Sequence, residues 1–315
     1  MTETPHSTHF DDIYFAVEDG LAESRYVFLE KNNLPALWQG RERFVIVETG
    51  FGTGLNFLCA WAAFEETAAG GQHLHYYSFE KFPLSAAEIT KYLAHWSDEF
   101  GGRLEQLVTG YPLRVGGWHT LRLSDRVTLT LIFDDVNRAF PELDVPVDCW
   151  FLDGHAPAKN PDMWSENVFA QMARLSRKGA RFATFTAAGF VRRGLEQVGF
   201  RVEKTRGFGR KRDMSIGVFE RDNIGVEIEN PVVRKVAVIG GGIAGTAAGY
   251  ALVKRGVEVA LYERAELAAD GSGNIRGLCN PKFTAQRGIE ADLYSPAFAL
   301  MQRSFREISE QEFIG

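Results

Sequence analysis

The stretch Val45-Ile46-Val47-Glu48-Thr49-Gly50-Phe51-Gly52-Thr53-Gly54-Leu55-Asn56-Phe57 decides the fold. A β-branched run ends in an acid, three glycines follow at alternate positions, and an apolar helical pattern takes over. Closely spaced glycines let backbone approach a ligand, and the helix N-terminus behind them offers N–H groups that lack internal partners. The spacing Glu-x-Gly-x-Gly-x-Gly differs from the Gly-x-Gly-x-x-Gly of dinucleotide turns. It is the variant that cradles the methionine end of S-adenosylmethionine (SAM) in the SAM fold, which makes Glu48, Gly50, Gly52 and Gly54 candidate cofactor contacts.

Working outward, further apolar runs at 74–80, 127–134, 147–153 and 180–186 alternate with helical patterns at 55–66, 84–96, 136–143 and 161–177. That alternation is the signature of a parallel sheet covered by helices, a doubly wound α/β fold. After a helix over 189–198, the runs 200–206 and 213–220 are joined by Gly207-Phe208-Gly209-Arg210-Lys211-Arg212, too short for a crossover helix. They are expected to form an antiparallel hairpin at the sheet edge. Five parallel strands closed by an antiparallel pair is the order typical of class I SAM methyltransferases.

Ligands in open α/β sheets bind beyond the carboxyl ends of the strands. Acids stand at those ends: Glu80 is placed for ribose hydroxyls, Asp134 or Asp135 for the adenine amino group, and Asp153 for the fourth strand. In a methyltransferase the fourth position faces the reactive methyl. A carboxylate followed by a proline-containing turn, Asp153-Gly154-His155-Ala156-Pro157, resembles the loop of enzymes that methylate amino nitrogens. An amine is protonated at neutral pH, and Asp153 is the candidate to accept its proton. The competing reading makes Asp153 a turn or helix-cap residue.

The second fingerprint is Val236-Ala237-Val238-Ile239-Gly240-Gly241-Gly242-Ile243-Ala244-Gly245, a strand followed by Gly-x-Gly-x-x-Gly and a helix. Glu263 ends the next strand 23 residues after Gly240, close to the ~20-residue spacing expected of a ribose-binding acid. Gly240, Gly242, Gly245 and Glu263 thus point to FAD or NAD, and the later loop Gly271-Ser272-Gly273-Asn274 favours FAD. The expected division is 1–222 for the SAM domain, 223–234 for a polar linker broken by Pro231, and 235–315 for the N-terminal part of an FAD-binding domain. These last 80-odd residues are too few for a complete nucleotide domain with its substrate part.

The 315 residues fit two domains, and 45% hydrophobic with 24% charged residues excludes a disordered or fibrous chain. No run approaches the ~20 apolar residues needed to span a bilayer, and the first residues lack the pattern of a signal peptide, so a cytoplasmic protein without a membrane partner is expected. Cys59, Cys149 and Cys279 are odd in number and widely spaced; they are expected to be buried thiols. The seven histidines show no paired metal-ligand spacing, so no metal is expected.

Net charge is −6, yet residues 172–215 hold twelve lysines and arginines against three acids, a net of +9 that leaves −15 elsewhere. Arg192, Arg193, Arg206, Arg210, Lys211 and Arg212, interleaved with phenylalanine and glycine, suit phosphate contact with base stacking. A solvated basic face is the alternative.

Taken with Ser78-Phe79-Glu80-Lys81-Phe82-Pro83 and Phe190-Val191-Arg192-Arg193, these motifs resemble, from Phe10 onward, the bacterial family of bifunctional tRNA 5-methylaminomethyl-2-thiouridine biosynthesis (MnmC) proteins. The resemblance implies that an FAD-dependent half removes the carboxymethyl group from 5-carboxymethylaminomethyl uridine at the tRNA wobble position. A SAM-dependent half then methylates the exposed amine. A flavin-dependent amine oxidoreductase, or a SAM methyltransferase acting on a non-RNA amine, are the competing functions.

Overall fold

The computed structural model describes residues 4–15, 19–209, 211–222, 233–274, 277–280 and 288–308. Contacts divide the chain into two compact units, 1–227 with 283–315, and 228–282. Arg210 and most of the expected linker lie outside the described residues.

The first unit opens with a short antiparallel pair, β1 (His6–Ser7) and β2 (Asp12–Ile13), and a helical stretch formed by α1 (Gly20–Ser24) and the π-helix Arg25–Glu30. Then follow β3 (Arg43–Glu48), α2 (Leu55–Thr67), β4 (His73–Phe79), α3 (Ala86–Leu93), α4 (Arg103–Gly110), β5 (Gly117–Arg122) and β6 (Val127–Phe133). After these come α5 (Val136–Ala139), β7 (Val147–Phe151), α6 (Glu166–Leu175), β8 (Ser176–Thr184), α7 (Gly189–Val198), β9 (Phe200–Arg206) and β10 (Asp213–Phe219). Eight strands form one sheet in the order β5-β6-β4-β3-β7-β8-β10-β9.

The five expected parallel strands pair as β6, β4, β3, β7 and β8, and β10 runs antiparallel to both β8 and β9. The chain order reverses between β3 and β7, which is where an open sheet leaves a crevice for ligand. The central strand β3 is buried on both faces from Phe44 to Glu48, as a strand with helices on either side must be. Helix α2 buries nine of its thirteen residues, among them Phe57, Trp61 and Phe64. A helix apolar all round is a core helix; here the sheet covers one side and the α1 segment the other.

Several elements depart from the sequence reading. Helix 161–177 divides into a 3-10 turn, Pro161–Trp164, and α6, because Ser165 accepts a hydrogen bond from the Val168 amide and starts a fresh helix. Strand β5 is an addition, pairing antiparallel with β6 at the edge. On it lies α9 (Ile289–Ile308): Arg303 Nη2 donates to the Thr120 carbonyl (2.6 Å) and Asp292 meets Arg138 at 3.4 Å. By contacts this helix groups with the first unit. Cys59 and Cys149 are buried as expected, but Cys279 is exposed.

The second unit contains β11 (Lys235–Ile239), α8 (Ile243–Val253) and β12 (Glu258–Tyr262), a parallel βαβ unit.

Candidate active site

Glycine fixes the geometry where β3 meets α2. Gly52 and Gly54 take φ of +52° and +80°, the left-handed region where a Cβ is strained. Gly54 is the N-cap of α2, so the turn directs the helix N-terminus toward the ends of β4 and β7. A Cβ on Gly50 would come within 3.0 Å of Gly154 Cα. The two loops touch backbone to backbone, and that contact carries Asp153 up to the glycine turn.

Around this junction lies a cavity of about 480 Å³, within the range of small-molecule sites. Gly50, Gly52, Asn56, Glu80, Asp134, Asp135 and Asp153 all line it. Glu48 does not. It is fully buried one layer beneath, where its carboxyl accepts from Ser78 Oγ (2.7 Å) and Asn56 Nδ2 (2.9 Å). Burial pushes its pKa up to about 8.

Asn56, which the sequence reading passed over, joins the layers. Its Nδ2 donates to Glu48 and also to Asp153 Oδ2 (2.8 Å), and its Oδ1 accepts from Ser24 Oγ (2.6 Å). Asp153 Oδ1 accepts from the Gly154 amide (2.8 Å). Burial raises the Asp153 carboxyl above its ordinary value; the Gly154 amide, Asn56 and His155 oppose the rise and the Glu23 charge adds to it. A carboxylate at the cavity wall whose basicity burial raises is suited to accept a proton.

Glu80 accepts from the Gly52 amide (2.8 Å) and the Phe82 amide (2.9 Å), while burial raises its pKa. It thereby braces the glycine turn from the side. Asp134 is held by Arg138. Asp135 accepts from the Asn137 amide (2.9 Å) as the N-cap of α5 and meets Lys81 Nζ at 2.7 Å. Although burial works against it, these partners hold the Asp135 carboxyl below its ordinary value.

The N-terminal pair β1–β2 has no signal in the sequence reading, and Asp12 and Ile13 of β2 line the cavity. Asp12 accepts from the Ala156 amide (3.3 Å) and from Lys159 Nζ (3.4 Å). His155, in a left-handed conformation at φ +68°, sets its ring 4.8 Å from Phe10 and 5.4 Å from Tyr14. These rings make an aromatic rim beside Asp153.

The basic residues are brought partly together. Lys211 lines the cavity, and Arg206 and Arg212 are exposed on the same loop-and-strand end. Tyr26 fastens that loop, donating to the Arg206 carbonyl (2.9 Å) and packing on Phe208 at 5.7 Å. Arg192 and Arg193 sit on α7, half-buried and exposed respectively. Part of the basic window is paired off: Arg201 and Lys178 meet Glu220 and Asp222 outside it, while Arg201–Glu203 and Lys204–Asp213 pair within it. Among the described residues, Arg192, Arg193, Arg206 and Arg212 form no ion pair, and no group of three or more His, Cys, Asp or Glu side chains is arranged to hold a metal.

In the second unit, Gly240 has φ +102°, Gly242 is the N-cap of α8, and a Cβ on Gly245 would run into the Gly240 carbonyl. Glu263 accepts from the Gly241 amide (2.6 Å), which holds its carboxyl below the ordinary value. Ser272 Oγ accepts from the Ile243 amide (3.0 Å) at the helix N-terminus, the place where this motif takes a pyrophosphate.

Residues 98–220 match the family described as S-adenosyl-L-methionine-dependent methyltransferase, and residues 235–314 match FAD dependent oxidoreductase. The chain is 44% identical over 98% of its length to the tRNA 5-methylaminomethyl-2-thiouridine biosynthesis bifunctional protein MnmC of Marinomonas sp. (strain MWYL1), covering 48% of that protein. It is 48% identical over 88% of its length to the protein of the same name from Methylobacillus flagellatus, covering 43% of it. The chain thus spans about half the length of the curated relatives it matches. The crystal structure of MNMC2 from Aquifex aeolicus superposes with a TM-score of 0.53 at 21% identity, covering 70% of this chain and 68% of that one, and shares the fold. No helix among the described residues is long and apolar enough to cross a membrane.

Proposed function

We propose, from the kinship of nearly the whole chain with bifunctional MnmC proteins, that it modifies the wobble uridine of tRNA, its first unit methylating the nitrogen of a 5-aminomethyl(-2-thio)uridine. The observation that carries this reading is Asp153, its carboxylate oxygens placed by Asn56 and Gly154 at the wall of a cavity that the glycine turn opens.

The cavity's residues fit SAM. The N-terminus of α2 and the glycines supply close backbone, Glu80 faces the region suited to ribose hydroxyls, and Asp134 and Asp135 stand where an adenine amino group is received. SAM supplies an electrophilic methyl carbon on a sulfonium. The chain's own work is at the acceptor: Asp153 takes a proton from the substrate ammonium at its carboxylate oxygen and exposes the nitrogen lone pair. The aromatic rim of Phe10, Tyr14 and His155 gives the target base a stacking surface. Arg192, Arg193, Arg206, Arg210, Lys211 and Arg212 draw the phosphates. The acids of the cavity suit a cationic ammonium, and the exposed Arg193, Arg206 and Arg212 suit an anionic backbone.

In the second unit, Gly240, Gly242, Gly245 and Glu263 fit the adenosine and pyrophosphate portion of FAD. By the same kinship, a flavin-dependent activity would remove the carboxymethyl group before methylation.

The test incubates the protein with methyl-labelled SAM and an anticodon stem-loop bearing 5-aminomethyl-2-thiouridine, then digests the RNA and identifies the labelled nucleoside. Label in 5-methylaminomethyl-2-thiouridine is expected. Label on another base, or on free amines and never on RNA, contradicts the reading.

A further inference from the structure

Helix α1 delivers two neighbouring side chains to the cavity. Ser24 donates to Asn56 and so joins the Asp153 network. Glu23 meets Lys211 Nζ at 2.6 Å, and both line the cavity. Lys211 also stands 5.3 Å from the centre of the Phe185 ring, another lining residue. Together they close the cavity between α1 and the basic loop before β10.

Glu23 differs from the other acids of the site in what holds it. Asp12 takes the Ala156 amide and Lys159, Glu80 takes two backbone amides, Asp134 takes Arg138, and Asp135 caps α5 against Lys81. Those partners belong to the frame of the pocket. The partner of Glu23 belongs to the loop that the RNA reading places against phosphate. Lys211 is 51% exposed at its side chain, and an ion pair so open to solvent is weak. A phosphate oxygen, which makes a strong charge-assisted hydrogen bond with a lysine, competes for it directly.

We propose that Glu23 is a substrate-binding carboxylate of the methyl transfer, masked by Lys211 until an RNA phosphate takes that lysine, so that phosphate contact opens the site to the substrate ammonium. This rests on the aminomethyl-RNA reading above. Once Lys211 turns to phosphate, the Glu23 charge is left facing a cavity into which the cationic amine enters. Glu23 and Asp153 line the same cavity, and Ser24 beside Glu23 is joined to Asp153 through Asn56: Glu23 receives the ammonium and Asp153 accepts its proton. The exchange conserves charge, because each anion keeps one cation before and after.

The consequence is a change of sign between two substrates. The RNA stem-loop carries phosphate, and the free nucleoside 5-aminomethyl-2-thiouridine carries none. Lys211→Ala is expected to raise KM for the stem-loop about tenfold and to lower the salt slope of RNA binding by about 1, yet to raise kcat/KM for the free nucleoside at least threefold. Glu23→Gln is expected to lower kcat/KM about tenfold for both substrates with SAM affinity unchanged, and Glu23→Asp to restore part of it. Melting temperatures of all three variants are measured alongside, since both side chains are surface-accessible. If Lys211→Ala lowers activity on nucleoside and stem-loop alike, or Glu23→Gln leaves both untouched, the masking role is overturned while RNA methylation stands. If the wild-type chain methylates neither substrate, the parent reading falls and this proposal with it.

Discussion

Behind Glu48 the glycine turn 50–54 is enclosed: Tyr14 lies against Gly52, Gly154 against Gly50, and the acid is buried in a network of three hydrogen-bonding side chains. Behind Ile239 the turn 240–245 stands open: Ile239 is 89% exposed, and Glu263 meets backbone amides from an exposed position. Both turns follow a strand, use glycine for close approach and present a helix N-terminus. The difference is what surrounds them. In the first, several segments of the chain converge and turn a local motif into a cavity lined by acids; in the second, the motif contributes backbone and one carboxylate. A fingerprint therefore specifies where a nucleotide lies, while the enclosure decides what chemistry is done beside it.

The largest expected effects come from crowding each turn in turn. Gly52→Val puts a branched side chain at φ +52° with a Cβ 3.0 Å from the Tyr14 ring, and is expected to weaken SAM binding by about 10²-fold or more. Gly245→Val meets the Gly240 carbonyl and is expected to abolish flavin binding while leaving the SAM titration intact. Calorimetric titration with each ligand checks both, and loss of both ligands in either variant would merge what the comparison separates. Next in size, Asp153→Asn is expected to cut methyl-transfer turnover by about 10²-fold, the usual scale for a proton-handling group, with SAM affinity retained. An unchanged rate would make Asp153 a turn residue.

Glu48 sharpens the contrast through pH. Its carboxyl is raised to about 8 from 4.5, so between those values the folded chain holds a proton that the unfolded chain releases. Stability then falls as pH climbs through that window. The first unit is expected to melt several degrees lower at pH 8.5 than at pH 5.5, and Glu48→Gln to flatten that slope. A wild-type melting profile level across the window contradicts a buried, proton-holding Glu48. The smallest effect concerns the basic rim. Reversing Arg206 and Arg212 together is expected to weaken stem-loop binding about tenfold, whereas reversing Arg201, already paired with Glu203 and Glu220, changes it less. Equal losses in a filter-binding assay would show a diffuse charge effect.

The sheet and its strand-end acids were legible because β-branched runs, glycine spacing and terminal carboxylates are local signals. Glu80, Asp134, Asp135 and Asp153 came to one cavity because parallel strands carry their carboxyl ends to the same edge. Glu48 misled by the same logic: it ends its strand, but a strand buried on both faces points that side chain inward. Asn56, Ser24 and Glu23 were illegible, since an asparagine inside an apolar helix and two residues of a five-residue helix gain meaning only from what folds against them. β5 and α4 were missed for a related reason. Gly117–Arg122 pairs through an edge whose partner is set by tertiary contact, and Arg103–Gly110 lies between glycines that read as loop.

The most direct test is a crystal structure of the full chain with S-adenosylhomocysteine, the product left after methyl transfer. The account predicts its sulfur beside the Asp153 carboxylate, its ribose at Glu80 and its adenine near Asp134 and Asp135. Finding it bound elsewhere, or finding Asp153 turned away from an occupied cavity, would contradict the account.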